Sequence, residues 1–450
     1  MKKIIPKLLL LSLISIPLSA QTPESTPGTS AGGDIQITQK HIYIILDQPS
    51  AEHKFPIAVP DLQITKGKDK DNFSSRVAEI LKNDLKIAGY FEVLSKSNYP
   101  QETGLTKEQI NFKQWSGIGA QALVKAGLEI DGKNLTFQWR LFDPNTSEML
   151  VGKEYKVEKK SYRAAVHRFM DEILLALTGE KGIFSTKIVA ACGPVGKRQI
   201  TVMDIDGENR VQLTDNNSIN VSPDWSKDGR QIAFTSYAKY WPEIFIVNTD
   251  GKGKAKRVTF NNSSNLTPAW SPDGSSIAIS SNMMGDPEIF LIDSQGNKIA
   301  QITHSKGIDY SPAWSPDGQN LVYASERAGH LHLFTMDKNG GNIKRITFSG
   351  AFNDQPDWSP KGDKIAYSLQ DGGGFDIYTM NIDGSMVQKV SNGMGSNESP
   401  SYSPDGRYIV YTSDRSHKSD IYIMLWEGTN PTAITKSGDC VNPDWSPRLP

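Results

Sequence analysis

Pro223-Asp-Trp-Ser-Lys-Asp-Gly229, Pro268-Ala-Trp-Ser-Pro-Asp-Gly274, Pro312-Ala-Trp-Ser-Pro-Asp-Gly318, Pro356-Asp-Trp-Ser-Pro-Lys-Gly362 and Pro400-Ser-Tyr-Ser-Pro-Asp-Gly406 are five copies of one phrase. A sixth, Pro443-Asp-Trp-Ser-Pro447, lies at the C-terminal end. The aromatic positions Trp225, Trp270, Trp314, Trp358, Tyr402 and Trp445 are spaced by 45, 44, 44, 44 and 43 residues. A period of about 40–45 residues is the length of one four-stranded propeller blade. The phrase itself reads as a short inner strand ended by an aromatic, whose face can pack on the neighbouring blade. Ser-Pro-Asp-Gly then turns the chain, Pro fixing φ and Gly taking the left-handed position.

Each turn is followed by an alternating stretch, as in Ile232 and Phe234, Ile277 and Ile279, or Ile409 and Tyr411, the pattern of a half-buried strand. A third strand follows, for example Glu288-Ile-Phe-Leu-Ile-Asp293, and a fourth carries Arg-Val-Thr at 257–259 and its equivalents. The segment from Ile183 to Thr214 has strands two to four without an inner strand, and Pro443–Pro447 is an inner strand with nothing after it. Together they complete a sixth blade. The fold class expected is therefore an α/β N-terminal domain followed by an all-β six-bladed β-propeller closed by its own C-terminal strand. Closure leaves only short, protected sheet edges.

Ahead of the repeats, four regions are expected. Residues 1–20 read as a secretory signal peptide, with Lys2, Lys3 and Lys7 before the apolar run Leu8–Ile16. That run is too short to span a bilayer, which takes about 20 residues of helix. Residues 21–33 are a tether rich in Thr, Ser, Pro and Gly. Its Gly28-Thr-Ser-Ala-Gly32 matches the hydrolase elbow formally, but it lacks the strand before and the helix after that the elbow needs. Residues 34–178 read as a separate α/β domain, with strands at 35–46, 55–59, 90–94, 122–130, 135–142 and 149–157. Helices are expected at 72–88, 107–115 and 162–177, and Lys66–Asp71 reads as a solvated loop. Residues 179–450 hold the hinge and the propeller.

Net charge is −1 and 22% of residues are charged, which points away from nucleic acid. No later stretch is long and apolar enough for a membrane span, so no direct membrane insertion is expected, and a monomer is. There is no Walker loop, no zinc-ligand spacing around His330 and His332, and no catalytic constellation; no cofactor is expected. His167 and Asp171 stand one helical turn apart, but without a third catalytic group they read as a contact. The two cysteines, Cys192 and Cys440, align with the closing blade, at the end of its second strand and the approach to its inner strand. A disulfide there would staple the ring in an oxidising compartment; two reduced thiols are the alternative.

Candidate binding residues come from the loops entering the inner strands. Five positions before the aromatic stand Asn220, Asn265, Asp309, Asn353 and Asn397, with Cys440 in the sixth copy. Three before it stand Ser222, Thr267, Ser311, Gln355 and Ser399, then Asn442. These residues should ring one mouth of the axial channel, where loops on a rigid scaffold carry binding. Asn and Asp also cap loops for purely structural reasons.

The chain resembles the TolB family, periplasmic components of the Tol–Pal envelope system. The resemblance rests on the order of signal, α/β domain and propeller. Three stretches strengthen it: Trp115-Ser-Gly-Ile-Gly-Ala-Gln-Ala-Leu-Val124, Arg163–Asp171 with His167, and Leu177-Thr-Gly-Glu-Lys-Gly-Ile-Phe-Ser-Thr-Lys-Ile188. It implies a non-enzymatic periplasmic adaptor whose propeller mouth receives the peptidoglycan-associated lipoprotein, Pal. It also implies contact with TolA or another Tol inner-membrane component through the N-terminus. The 21–33 tether departs from the family's compact start, so no residue is carried over for that contact. Two other readings remain: a small-ligand or cation-binding propeller using the Asn/Asp ring, whose oxygens suit calcium, and a propeller-gated peptidase remnant.

Overall fold

The computed structural model describes residues 54–449, apart from 102, 261, 392–394 and 437. The expected signal peptide, tether and strand at 35–46 lie outside the described residues.

The N-terminal body has the strands β1 (Phe55–Ala58), β2 (Gln63–Lys66), β3 (Phe91–Val93), β4 (Ala122–Asp131), β5 (Asn134–Asp143) and β6 (Glu148–Glu158). Its helices are α1 (Phe73–Ala88), α2 (Phe112–Gly117) and α3 (Tyr162–Thr178). The sheet order is β3-β1-β4-β5-β6, with β2 pairing β4. β1 runs parallel to β3 and β4, and β4, β5 and β6 form an antiparallel meander. Alternation sorts the side chains. Val124, Phe137, Trp139 and Leu141 face α1 and α3, while Leu123 and Phe142 face Trp115 of α2. Trp139 stacks on Phe169 of α3 with centroids 4.5 Å apart.

Two local differences from the sequence expectations have physical causes. The loop 66–71 is more than solvated chain, because the Asp69 carboxylate accepts the N–H groups of Phe73 and Ser74, both at 2.8 Å. It thereby satisfies orphan donors at the start of α1. The helix expected at 107–115 begins only at Phe112. Before it, the Gln109 side chain accepts the N–H groups of Leu105 and Thr106 and holds a turn instead.

The propeller consists of six four-stranded sheets. Their inner strands are Asn220–Trp225, Asn265–Trp270, Asp309–Trp314, Asn353–Trp358, Asn397–Tyr402 and Cys440–Trp445. Each aromatic packs between its own blade and the one before, as Trp270 does between Ile244 and Ile277. In the turns, Ser226, Ser271, Ser315 and Ser403 donate hydroxyls to Asp228, Asp273, Asp317 and Asp405 at 2.5–2.7 Å. The closing glycines sit at φ 66–75°, as at Gly318 and Gly362, where a Cβ would be strained. Fourth strands are shorter than the sequence pattern suggested, most of them two residues long. Their Thr or Ser turns inward, and its hydroxyl takes over the ladder bond. Thr214, Thr259, Thr303, Thr347, Ser391 and Thr435 accept the N–H groups of Ile200, Ile244, Ile289, Leu333, Ile377 and Ile421.

The closing blade runs Cys440–Trp445, Lys187–Cys192, Gln199–Asp204, Val211–Gln212. Cys440 is the register partner of Cys192, and the two form a disulfide across a sequence separation of 248 residues. Breaking it in the Cys192→Ser, Cys440→Ser variant is expected to cost about 2–4 kcal/mol. A urea titration followed by tryptophan fluorescence checks this; an unchanged midpoint would mean that strand pairing alone closes the ring.

Candidate functional site

The strand directions divide the propeller into two faces. Each inner strand runs from a blade-connecting loop to the Ser-Pro-Asp-Gly turn, and the second strand runs back. Blade-connecting loops and the loops between second and third strands therefore share one face. The tight turns share the other. The N-terminal body packs on the turn face. Its contacts are Tyr408 and Asn430 of the fifth blade, which bond the end of α1, and Asp204 and Asp206 of the closing blade, which meet α3. Among the described residues, no part of the N-terminal body covers the loop face.

The structure corrects the expected role of the side chains five before each aromatic. Asn220, Asn265, Asp309, Asn353 and Asn397 all have no exposed surface. Each is the first residue of an inner strand, wedged against the preceding blade. Backbone N–H groups of Asn220, Asn265, Asp309 and Asn353 reach the carbonyls of Arg198, Pro242, Pro287 and Leu331. Side chains complete the pin. Asn220 donates to Arg198 O at 2.9 Å and Gln199 Oε1 at 3.1 Å, and Asn353 donates to Leu331 O and Ser349 O. Asn265 donates to Ser263 O. Buried loop carbonyls need such donors, since an unpaired one costs about 1–3 kcal/mol. These residues shape the loops but do not present themselves to a partner, and their oxygens are not arrayed as an open cation ring.

The residues three before the aromatic have a different job. Ser222, Thr267, Ser311, Gln355, Ser399 and Asn442 lie at φ 47–55°, and each stands in the register shift between inner and second strand. Ser311 is buried and the others are half-buried. A residue so placed turns its backbone N–H toward the preceding blade. Ser311 N–H donates to Thr267 Oγ1 at 3.3 Å, Ser399 N–H to Gln355 Oε1 at 2.9 Å, and Asn442 Nδ2 to Ser399 Oγ at 2.9 Å. They are stitches from blade to blade.

One position before the aromatic, three blades carry an acid. Asp444 accepts Trp225 N–H, Asp224 accepts Trp270 N–H and Asp357 accepts Tyr402 N–H, at 2.9, 2.7 and 2.6 Å. Burial pushes Asp357 up to about 7, and the charge of Asp444 adds to the shift. Burial likewise brings Asp444 to about 6, and burial with the Asp444 charge holds Asp224 well above its ordinary value. The carboxyls sense one another around the ring.

What sequence reading missed is the exposed part of the loop face. Tyr240 is 91% exposed and Phe348 is 71% exposed. Trp241, Phe260, Met284 and Phe352 are also exposed, in the same class of loops, and Trp241 packs edge-on against Tyr240. These six side chains occupy the loops of the first to fourth blades. On the fifth blade, the corresponding loop shows Asp414, Ser416, His417 and Lys418 to solvent. No repeat period marks these aromatics, because they stand where the repeats differ. Arg327 and Arg415 were missed for a different reason: both stand at one repeat position, but only these two blades carry an arginine there. Arg327 reaches back to Asp309 at 2.7 Å and Arg415 to Asn397 at 3.0 Å, each lying over a tyrosine, Tyr323 or Tyr411.

Among the described residues, the closest approach to a metal-ligand set is Asp84, His167 and Asp206. Arg163 already neutralises Asp206, and Asp84 is already bonded to His167, so no metal ligand is assigned there. His167 pairs with Asp84 rather than with Asp171, which instead accepts the N–H groups of Phe184 and Ser185.

The acid at 357 gives a pH prediction. Its folded-state value lies above the unfolded value near 3.9, so the folded state binds the proton more tightly and gains stability as pH falls. Asp357→Asn, whose amide oxygen can still accept Tyr402 N–H, should stabilise the protein at pH 8 by on the order of 2 kcal/mol. The gain should vanish near about pH 4. Paired thermal melts across that range test the sign.

Comparison with known proteins places this architecture. The family model described as the TolB beta propeller domain matches residues 175–375 and 352–449, and that of the TolB amino-terminal domain matches residues 45–150. The Tol-Pal system protein TolB of Desulfosudis oleivorans is 35% identical over 216 residues, 47% of this chain and 49% of that one. The Tol-Pal system protein TolB of Geobacter metallireducens is 38% identical over 180 residues, 40% of this chain and 42% of that one. The chain thus matches about half the length or less of these curated relatives. The crystal structure of TolB from Acinetobacter baumannii superposes with a TM-score of 0.75 at 25% identity, over 88% of this chain and 98% of that one. With both family models in order along the sequence, and the propeller model alone matching more than half of it, the chain belongs to the TolB family.

Proposed function

We propose that this protein is a periplasmic adaptor of the Tol–Pal system. It binds the peptidoglycan-associated lipoprotein, Pal, through the loop face of the propeller, and so supports outer-membrane integrity and envelope constriction at division. Its action is reversible protein binding rather than catalysis. TolA or another inner-membrane component is the second partner, and the protein acts as a monomer. The relatives' shared name, Tol-Pal system protein TolB, supports membership of the system. The signal-like N-terminus and the disulfide fit an oxidising compartment. Among the described residues, no helix is long and apolar enough to cross a membrane.

The observation that carries the docking face is the loop face, with an aromatic sector on one side and the N-terminal body on the opposite side. An interface of standard size buries about 1,600 Å² in total, with a few aromatic anchors carrying most of the energy. Tyr240 and Phe348 are placed to be such anchors, while the buried asparagines fix the loops that bear them.

The Tyr240→Ala, Phe348→Ala double variant should therefore weaken binding of purified lipoprotein about tenfold or more. Its melting temperature should stay the same, because neither side chain is in the core. Isothermal titration measures the affinity. Unchanged affinity with a folded variant would move the interface to another face, and no binding by the wild-type chain would remove the adaptor reading.

A further inference from the structure

The seat of the N-terminal body on the propeller is polar at its centre. The last carbonyls of α1 have no partner within the helix; Gly89 N–H caps Lys86 O, and the fifth blade supplies the further donors. Asn430 Nδ2 reaches Lys86 O at 3.0 Å and Ile87 O at 3.3 Å, and the Tyr408 hydroxyl reaches Ala88 O at 3.1 Å. Beside this cap lies a closed group of charges. Asp84 comes from α1, and His167 and Arg163 come from α3. The closing blade supplies Lys187 and Asp204 from its strands and Asp206 from the turn that follows. His167 Nδ1 stands 2.7 Å from Asp84 Oδ2, and its Nε2 stands 3.4 Å from Asp204 Oδ2. Arg163 pairs with Asp206 and Asp204, and Lys187 with Asp204. The side chains of Asp84, His167 and Asp204 are at most 2% exposed.

Geometry favours the protonated ring. His167 Nδ1 is hydrogen-bonded to Asp84, and Nε2, which makes no hydrogen bond, lies within ion-pair range of the Asp204 carboxylate. A neutral imidazole can donate from only one nitrogen, and the other would turn a lone pair toward a buried anion. The imidazolium suits both neighbours. With it, three cations balance three anions, as buried charges require.

We propose that this cluster is a proton-operated latch: protonated His167 ties α1 and α3 to the closing blade, and loss of that proton loosens the N-terminal body from the propeller. The direction of the pH response follows from the neighbours. Burial opposes the charge on His167, but Asp84 and Asp204 outweigh it and push the imidazole up to about 10. Burial raises Asp84 to about 6 against the opposing pull of His167. A histidine raised in the folded state stabilises fully below its unfolded value near 6.5, and that contribution fades as pH climbs through the folded value. Asp84, also raised, favours the closed seat further as pH falls. His167 thus makes the seat tight in acid and at neutrality and progressively looser between about pH 6.5 and about pH 10, while the Asp84 contribution is spent once pH has risen past about 6.

Hydrogen exchange on the full chain tests the latch, read as protection factors so that intrinsic rates cancel. Between about pH 7 and about pH 9.5, amides of the last turn of α1 and of the 204–208 turn should lose protection about tenfold or more. Those of the third blade should hold. In the Asp84→Asn, His167→Gln double variant, an amide pair replaces the charge pair, and the selective pH dependence should disappear. Loss of protection that is equal in wild type and double variant, or absent from wild type, overturns the proposal. Carbon-13 histidine spectra of the wild-type chain decide independently, even if the variant does not fold. A His167 signal still in its imidazolium form at about pH 8 supports the latch, and one titrating near 6.5 overturns it.

Discussion

A ring of sheets depends on its last joint. In this propeller, five blades are made of consecutive strands, and the local chain builds each of them. The sixth must bring Cys440–Trp445 to Lys187–Cys192 from opposite ends of the array. Until that pairing forms, Lys187–Cys192 and Cys440–Trp445 present unpaired edges, and the loop-closure entropy of the whole array opposes it. The chain meets this constraint with one substitution inside an otherwise constant device. The first residue of each inner strand is Asn or Asp opposite Ser or Leu, as in Asn220 with Ser236 and Asn353 with Leu369. At the non-local joint the same register position is Cys440 opposite Cys192. A covalent bond stands where the other blades have a hydrogen-bonded pin.

The same pin explains why the ring holds its shape. Each blade is tied to its neighbour at three levels along the inner strand. The buried first residue binds the preceding blade's loop, the left-handed third residue stitches across, and the aromatic fills the cleft at the far end. Asp224, Asp357 and Asp444 add bonds to the next aromatic's backbone N–H. Their cost is a carboxyl kept largely out of water, which is why the acid form is favoured there.

Much of this was legible because repetition amplifies local signals. Six aromatics at one period fix the blade count, and the two incomplete repeats fix the closing blade and its cysteine pair. The repeats also mislead at one point. A polar residue recurring at a fixed place suggests a functional ring, yet Asn220 and its equivalents recur because every blade has the same buried carbonyls to satisfy. Sequence gives polarity but not burial, and a wedge position at a strand's first residue has no periodic mark. The exposed Tyr240 and Phe348 failed to register for the opposite reason, since they interrupt the repeat. In the N-terminal body, β2 pairs with β4 through only four residues of half-buried or exposed chain, too few for alternation to show. The partner of His167 was beyond reach, because Asp84 lies 83 residues away on another helix.

The two surfaces are separated by the length of a strand. An inner strand of six residues spans about 20 Å, so a partner on the loop face cannot touch the seat of the N-terminal body. One strand of the closing blade nevertheless ends in both places. At the loop face, Gln199 accepts the Asn220 pin at 3.1 Å and donates to Ser218 O at 2.9 Å. Five residues on, Asp204 faces His167, Arg163 and Lys187. Contiguity by itself is not coupling; coupling needs an element with two arrangements that both sites bias. The charge cluster is suited to be that element, since buried ion pairs hold geometry without adding much net stability. A shift of the 215–219 loop that draws on Gln199 acts on the same rigid strand that positions Asp204. Asp204 stands 3.4 Å from His167 without a hydrogen bond, so a displacement of a few tenths of an ångström decides whether one forms.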